Sequence, residues 1–383
     1  MKRVIITVII FSLLSQVSGQ KNWKQLFDKR YFGLCTSNKT FRENCLAQSS
    51  LGDAMKFMDI SGVVDGLKCM YSSTKDEIYL NDEIKLINNI LSTAEVSKNI
   101  PYNTYLLKDD YLSWTSKTPG YTYNSESPVY EGYIFRDITQ FLYILKKSGW
   151  TDASAQNNSW YTNALSFIEK NIWEKWTSRS NRINGQPYTI LLSRRTHVAS
   201  HWAYIALMLN QITQNPVIKS QSQELCNMYD LLLKRNLKPN PNYPQAYIWN
   251  SSWDNVEGTQ ASIPNDVALQ DVAHGNQVIA YVVAAEELGN PTWKPEDISY
   301  FTNTILQVVY NAKTLRFSEM VDGSSPSNSE SGNFQTYGWV KLGRLNKKAK
   351  DFYLKYAIEN DKLVINYGPL QYYANLSYND YAN

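Results

Sequence analysis

From Leu51 onward, apolar positions return every three or four residues in segments separated by loops carrying Gly, Pro, Asn and Ser, and no segment alternates with the period of a strand. The spacing predicts helices over 51–71, 75–96, 106–115, 131–147, 159–176, 194–212, 220–237, 269–288, 295–313, 337–345 and 348–358. In the segment from Glu131, Ile134, Ile138, Phe141 and Leu145 share one face. Gly149 follows that segment, and Gly289-Asn290-Pro291 is a strong stop for another.

A long run of helices with no fixed-period repeat sets aside a solenoid, and the absence of heptads sets aside a coiled coil. The expected fold is therefore all-α, as an α/α toroid: an incomplete barrel of helix hairpins with long loops over a central cleft. Residues 20–383 form one expected domain, and the loops at 239–264 and 323–333 are the places where binding residues are expected.

One predicted helix stands out. Arg194, His197, His201, Tyr204 and Met208 fall on one stripe, beside an apolar stripe of Val198, Trp202, Ile205 and Leu209. Two of the chain's three histidines lie here. Arg194 and Arg195 in a first turn would oppose the helix macrodipole, a local cost more often met at functional sites than elsewhere. Satisfied core histidines are the plain alternative.

Composition narrows the class. Met1-Lys2-Arg3, the apolar run Val4–Leu14 and the small residues before Gln20 read as a signal peptide over 1–19, so a secreted chain is expected. No stretch approaches the roughly 20 apolar residues that a membrane span needs. The formal charge of +3 falls further once Lys2 and Arg3 are removed, which speaks against nucleic acid bound by a general basic field. With 11 Trp and 28 Tyr against 12 Phe, the aromatic usage favours rings with a polar tip, suited to a wet cleft that stacks sugars. In an exported protein Cys35, Cys45, Cys69 and Cys226 are expected to form disulfides, with Cys35–Cys45 and Cys69–Cys226 the preferred of three pairings. Asn38, Asn157, Asn250 and Asn375 head glycosylation triplets.

The third histidine lies in Gln270-Asp271-Val272-Ala273-His274-Gly275-Asn276-Gln277, where Asp271 can orient His274 or cap the helix. This Asp-x-x-His-Gly-x-Gln entry, following an earlier basic and aromatic histidine helix in an all-helical exported chain, resembles the alginate-lyase-like α/α-toroid polysaccharide lyases. The likeness covers the architecture from about residue 50 to 345 and these two short motifs. Ala199-Ser200 precede His201 where the better-known alginate lyase pattern has two asparagines.

The resemblance implies β-elimination on a uronic-acid glycan, alginate or glucuronan-like. Such a reaction needs a cation or donor on the C5 carboxylate, a base for the C5 proton and an acid for the leaving O4. His201, His197 and Arg195 are the catalytic candidates, with Tyr247 as the acid because it lies in a long loop after the histidine helix, as the family's tyrosine does. Tyr204 is its competitor. Arg194, Trp202, Tyr204, Trp249, Asp271, His274, Asn276 and Arg136 are candidate contacts to an anionic polysaccharide. No cofactor is implied. His197 and His201 lack the glutamate and third ligand of a zinc-protease motif, so no metal is expected. Glu131 near Arg136, and Glu319, Asp322 and Tyr337-Gly338-Trp339, are further candidates for a cleft wall. Two other classes stay open: a glycoside hydrolase on the same barrel, drawing a carboxylate pair from Asp109, Asp110, Glu131, Asp271 and Glu319, and a glycan-binding protein without catalysis.

Overall fold

The computed structural model describes residues 22–35, 38–120, 122–253, 268–360 and 368–381. The expected signal peptide and part of the loop at 239–264 lie outside them. The described chain is mostly helical, and its strands are three two-residue antiparallel pairs, 95–96 with 112–113, 238–239 with 247–248 and 310–311 with 316–317.

The helices are α1 Trp23–Tyr31, α2 Phe41–Ser49, α3 Ala54–Thr74, α4 Glu77–Ser92, α5 Pro128–Lys147, α6 Ala155–Ile168, α7 Lys175–Asn184, α8 Thr196–Ile212, α9 Pro216–Asn236, α10 Val272–Glu287, α11 Pro295–Asn303, α12 Lys347–Glu359 and α13 Pro369–Tyr381. A 3₁₀ segment, Trp339–Arg344, precedes α12. Local chemistry fixes several starts. Asp53, Ser127, Asn215 and Asp271 accept hydrogen bonds from the first-turn amides of α3, α5, α9 and α10, and α5 and α9 place a proline in that turn.

Packing closes on itself. α3 packs on α5, α5 on α8, α8 on α10, α10 on the 3₁₀ segment, that segment on α13, and α13 back on α3. Helices between these in sequence lie against them: α4 on α3, α9 on α8, α11 on α10 and α12 on the 3₁₀ segment. α8 is buried nearly all round, with Thr196, Ser200 and His201 buried as well as its apolar residues. Gly132 lets α5 approach it, because a Cβ there would stand 3.1 Å from the Cβ of His201.

The interior also holds a chain of ion pairs. Lys68 Nζ donates to Asp137 Oδ1 at 2.7 Å and lies 3.1 Å from Asp65. Asp65 also accepts from Lys341 at 2.8 Å, Gln371 at 2.8 Å and Asn375 at 3.1 Å. Arg136 Nε donates to Asp137 at 3.1 Å. Lys68 and Lys341 hold Asp65 well below the usual carboxylate range, although burial alone would raise it. Among the described residues Glu83, buried beside this chain, has no hydrogen-bond partner, and burial pushes its carboxyl well above the ordinary value, which favours its neutral form.

Several expectations are corrected. Residues 106–115 form no helix: Asp109 turns to Arg179 and Arg182, Leu112 N takes the Asn171 side chain, and Leu112–Ser113 pairs as a strand. α8 begins at Thr196, so Arg194 and Arg195 precede the helix rather than oppose its dipole from the first turn. The four cysteines are free thiols. Cys69 lies against Asn375 and Arg344, and Cys226 donates to the Ala203 carbonyl, so α8's surroundings separate the expected pair. Asn375 is fully buried and bonded to Asp65, Arg344 and Gln371, which removes it as a glycan acceptor in the folded chain.

Candidate functional site

The three histidines converge. His197 and His201 project from the first two turns of α8, and His274 from the first turn of α10, with 4.3 Å between the ring centroids of His197 and His274. Asp271 caps α10 by accepting from the His274 amide at 2.8 Å, and both of its oxygens lie 2.9 Å from His274 Nδ1. Burial pushes the Asp271 carboxyl up, but the His274 ring and amide outweigh it and hold it below the ordinary value. An ionised carboxylate only accepts, so Nδ1 carries the proton and Nε2 keeps a free lone pair on a side chain that is 51% exposed. That is the arrangement of a general base.

His201 is the opposite case. It is fully buried, its ring 4.1 Å from that of Tyr133, and Arg136 Nη1 lies 3.1 Å from its Nδ1. A guanidinium only donates, so Nδ1 accepts and the proton sits on Nε2, which has no partner among the described residues. Burial and Arg136 drive its pKa well below the ordinary histidine value. Burial, then His274, brings His197 down to about 3.

These shifts make a pH prediction. Both histidines have folded values below the unfolded 6.5, so the unfolded chain binds more protons as pH falls past that point. Their stabilising contribution is full above 6.5 and is lost down to about 3. Glu83, whose carboxyl is raised, contributes with the opposite sign over the same window, so the rings are the direct readout: in NMR spectra the His197 and His201 imidazoles are expected to keep the shifts of neutral rings from pH 6.5 down to about pH 5. Protonation of either ring near pH 6.5 would refute the neutral buried histidines.

A cavity of about 760 Å³ reaches Tyr133 and Arg136 of α5, the neighbours of His201, and is bounded further by Gly62 and Val63 of α3, Phe334, Thr336 and Tyr337 before the 3₁₀ segment, and Lys29, Arg30 and Leu34 of the N-terminal segment; His197, His274 and Asp271 are not among its lining residues. Arg136 is sandwiched, its guanidinium carbon 5.6 Å from the Tyr133 ring centre and 5.0 Å from that of Tyr337. Its Nη2 bonds to none of the described residues. Tyr133 Oη accepts from Gln277 Nε2 at 2.8 Å, which leaves its own proton free to donate. Asn276 fixes the loop carrying Tyr337, accepting from the Gly338 and Trp339 amides and donating to the Phe334 carbonyl.

The structure thus brings together His197, His201, His274, Asp271, Arg136 and Asn276. Others lie apart. Tyr247 donates its hydroxyl to Asp297 at 2.9 Å and packs on Tyr300 and Phe301, so the expected acid is committed elsewhere. Trp249 stacks in the core on Trp339, and Trp202 packs on Trp176. Tyr204 is buried, its hydroxyl without a partner. Arg194 and Arg195 are exposed at the entry to α8. Tyr133, Gln277 and Phe334 are functional candidates that sequence reasoning passed over; the signal for Tyr133 was its place one turn before Arg136.

The carboxylates available to a hydrolase are bound to the protein itself. Glu131 takes Lys175 and Trp176, Asp109 takes Arg179 and Arg182, Asp110 pairs with Lys98, and Glu319 accepts from Ser327 and Ser329. Among the described residues no three His, Cys, Asp or Glu are grouped to hold a metal ion, and no helix is long and apolar enough to cross a membrane. Comparison with protein families, curated proteins and solved structures finds no match for this chain.

Proposed function

We propose that this chain is a secreted polysaccharide lyase that cleaves a uronate-containing glycan by β-elimination, and that its closed cycle of helices is an α/α toroid. One observation carries the reading. The buried ion-pair chain has three cations, Arg136, Lys68 and Lys341, against two carboxylates, Asp65 and Asp137. Arg136 is its member on the cavity wall, so a substrate carboxylate there would balance the excess, and an unbalanced buried charge is costly otherwise. Lys29 and Arg30 add positive charge to the lining, against one carboxylate there, Asp59.

In this reading Arg136 receives the C5 carboxylate and stabilises the enolate-like charge that builds on it. His274 Nε2 removes the C5 proton while Asp271 stabilises the imidazolium. The electron pair of the broken C5–H bond forms the C4–C5 double bond, the C4–O4 bond breaks, and the departing O4 takes the Tyr133 proton. Burial raises the Tyr133 pKa, so the phenol is loaded at neutral pH. His201 acts through Arg136 as a positioning residue.

Incubation with alginate, glucuronan and glycosaminoglycans tests this. Unsaturated uronate ends, read by ultraviolet absorbance, are the expected product. Reducing ends without unsaturation would mean hydrolysis, and binding without new ends would mean a glycan-binding protein; either outcome overturns the proposal.

A further inference from the structure

A second cavity, of about 390 Å³, opens at the other end of the same helices, among the last turns of α3, α5, α8, α10 and α13. The ion-pair chain separates the two: Arg136 borders the first cavity and Lys68 the second, and both bond to Asp137. Nothing in the proposed elimination uses this end of the molecule.

Its lining has three layers. At the floor, Ser72 Oγ, Gln140 Oε1 and Arg344 Nε are buried with no hydrogen-bond partner among the described residues, and their residues are 5%, 8% and 7% exposed. On the walls stand the rings of Tyr143, Tyr378 and Tyr381. At the rim are the ammonium groups of Lys75, 5.3 Å from the Tyr381 ring centre, and Lys147, 5.5 Å from that of Tyr143. Glu287 is the one carboxylate among the lining residues, and it faces Arg344 at 3.7 Å.

Lysines at the ends of α3 and α5 complement the helix macrodipoles, which by itself would account for their positions. That does not account for the floor. Buried polar groups in folded proteins are nearly always paired, and three unpaired ones meeting in one cavity lined by tyrosines mark a place built to receive hydrogen-bonding groups. A hydroxyl, a guanidinium N–H and an amide oxygen can each pair with a sugar hydroxyl, ammonium groups suit a carboxylate, and tyrosine faces suit a pyranose ring.

We propose that this second cavity binds a small sugar acid, with its carboxylate toward Lys75 and Lys147 at the rim and its hydroxyls toward Ser72, Gln140 and Arg344 at the floor. The inference is independent of the elimination reading, since it concerns binding alone at the opposite end of the helices.

The test is calorimetric titration of the full chain with D-glucuronate, with D-glucose and inorganic phosphate as controls. Glucuronate is expected to bind and the controls to bind at least about tenfold more weakly, because each lacks one half of the recognition. In the double variant Lys75→Glu and Lys147→Glu, both exposed, glucuronate affinity at this site is expected to fall at least about tenfold. Ser72→Ala removes a hydroxyl that bonds none of the described residues, so it is expected to weaken glucuronate while leaving the melting temperature unchanged. The variants leave the first cavity intact, so cleavage of polymer distinguishes the two readings. Absence of glucuronate binding, binding indifferent to all these substitutions, or phosphate binding as tightly as glucuronate would each overturn the proposal.

Discussion

His274→Ala is expected to lower the release of unsaturated uronate by on the order of 100- to 10,000-fold, the range for loss of a general base. The same change is expected to cost no more than about 0.5 kcal/mol in folding, because the side chain is half exposed and Asp271 keeps its bond to the backbone amide of α10. Initial rates on the substrate identified by the glycan screen, read beside urea melts, separate the two effects. Asp271→Asn is expected to follow in the same direction with a smaller loss, since the amide no longer favours the imidazolium that forms on proton transfer. If His274→Ala retains near-parental turnover while folded, the base is another group and the assignment of the α10 entry is wrong.

Asp65→Ala is expected to have the largest effect on stability, about 3–5 kcal/mol, as found when one partner of a buried ion pair is removed. Asp65 is fully buried and holds Lys68, Lys341, Gln371 and Asn375 together. Without it two ammonium groups face each other in the interior, and against a total of roughly 5–15 kcal/mol such a loss leaves little folded protein. Replacing Asp65 by Leu and Lys341 by Met together is expected to recover part of the loss, because the uncompensated charge leaves with its partner. A urea midpoint within about 1 kcal/mol of the parent for Asp65→Ala would show that the chain of ion pairs contributes little.

Most of the helical framework was legible in the sequence, for the usual reason that apolar faces repeat with the helical period. α13 was not. Gln371, Asn375 and Asn379, one turn apart, are buried on it beside Leu370, Tyr373, Ala374 and Leu376 and serve Asp65, Thr336 and the Val340 carbonyl, so polar groups at the helical repeat mask its apolar residues from a reading by hydrophobicity. α1 escaped in a similar way, with Trp23, Phe27 and Tyr31 the buried residues among lysines and arginine. The histidine motifs were visible, and so was Arg136 as a neighbour. What spacing along one helix did not reveal was the direction of Tyr247, which a partner 50 residues away decides, or Tyr133, whose proximity to His201 depends on a glycine that lets two helices approach.

The closure of the helix cycle sets the order in which the molecule can be assembled. Asp65 waits for a side chain 310 residues further along, and Trp23 for one 357 residues away. Pairings so distant in sequence make folding slow, since the entropy of bringing the ends together is spent before the contacts repay it. A growing chain can form its hairpins as they emerge, but α3 keeps an uncovered face, and Lys68 and Lys341 an incompletely satisfied partner, until α13 has been made. Synthesis and folding are therefore staggered: the first long helix of the chain is finished by the last.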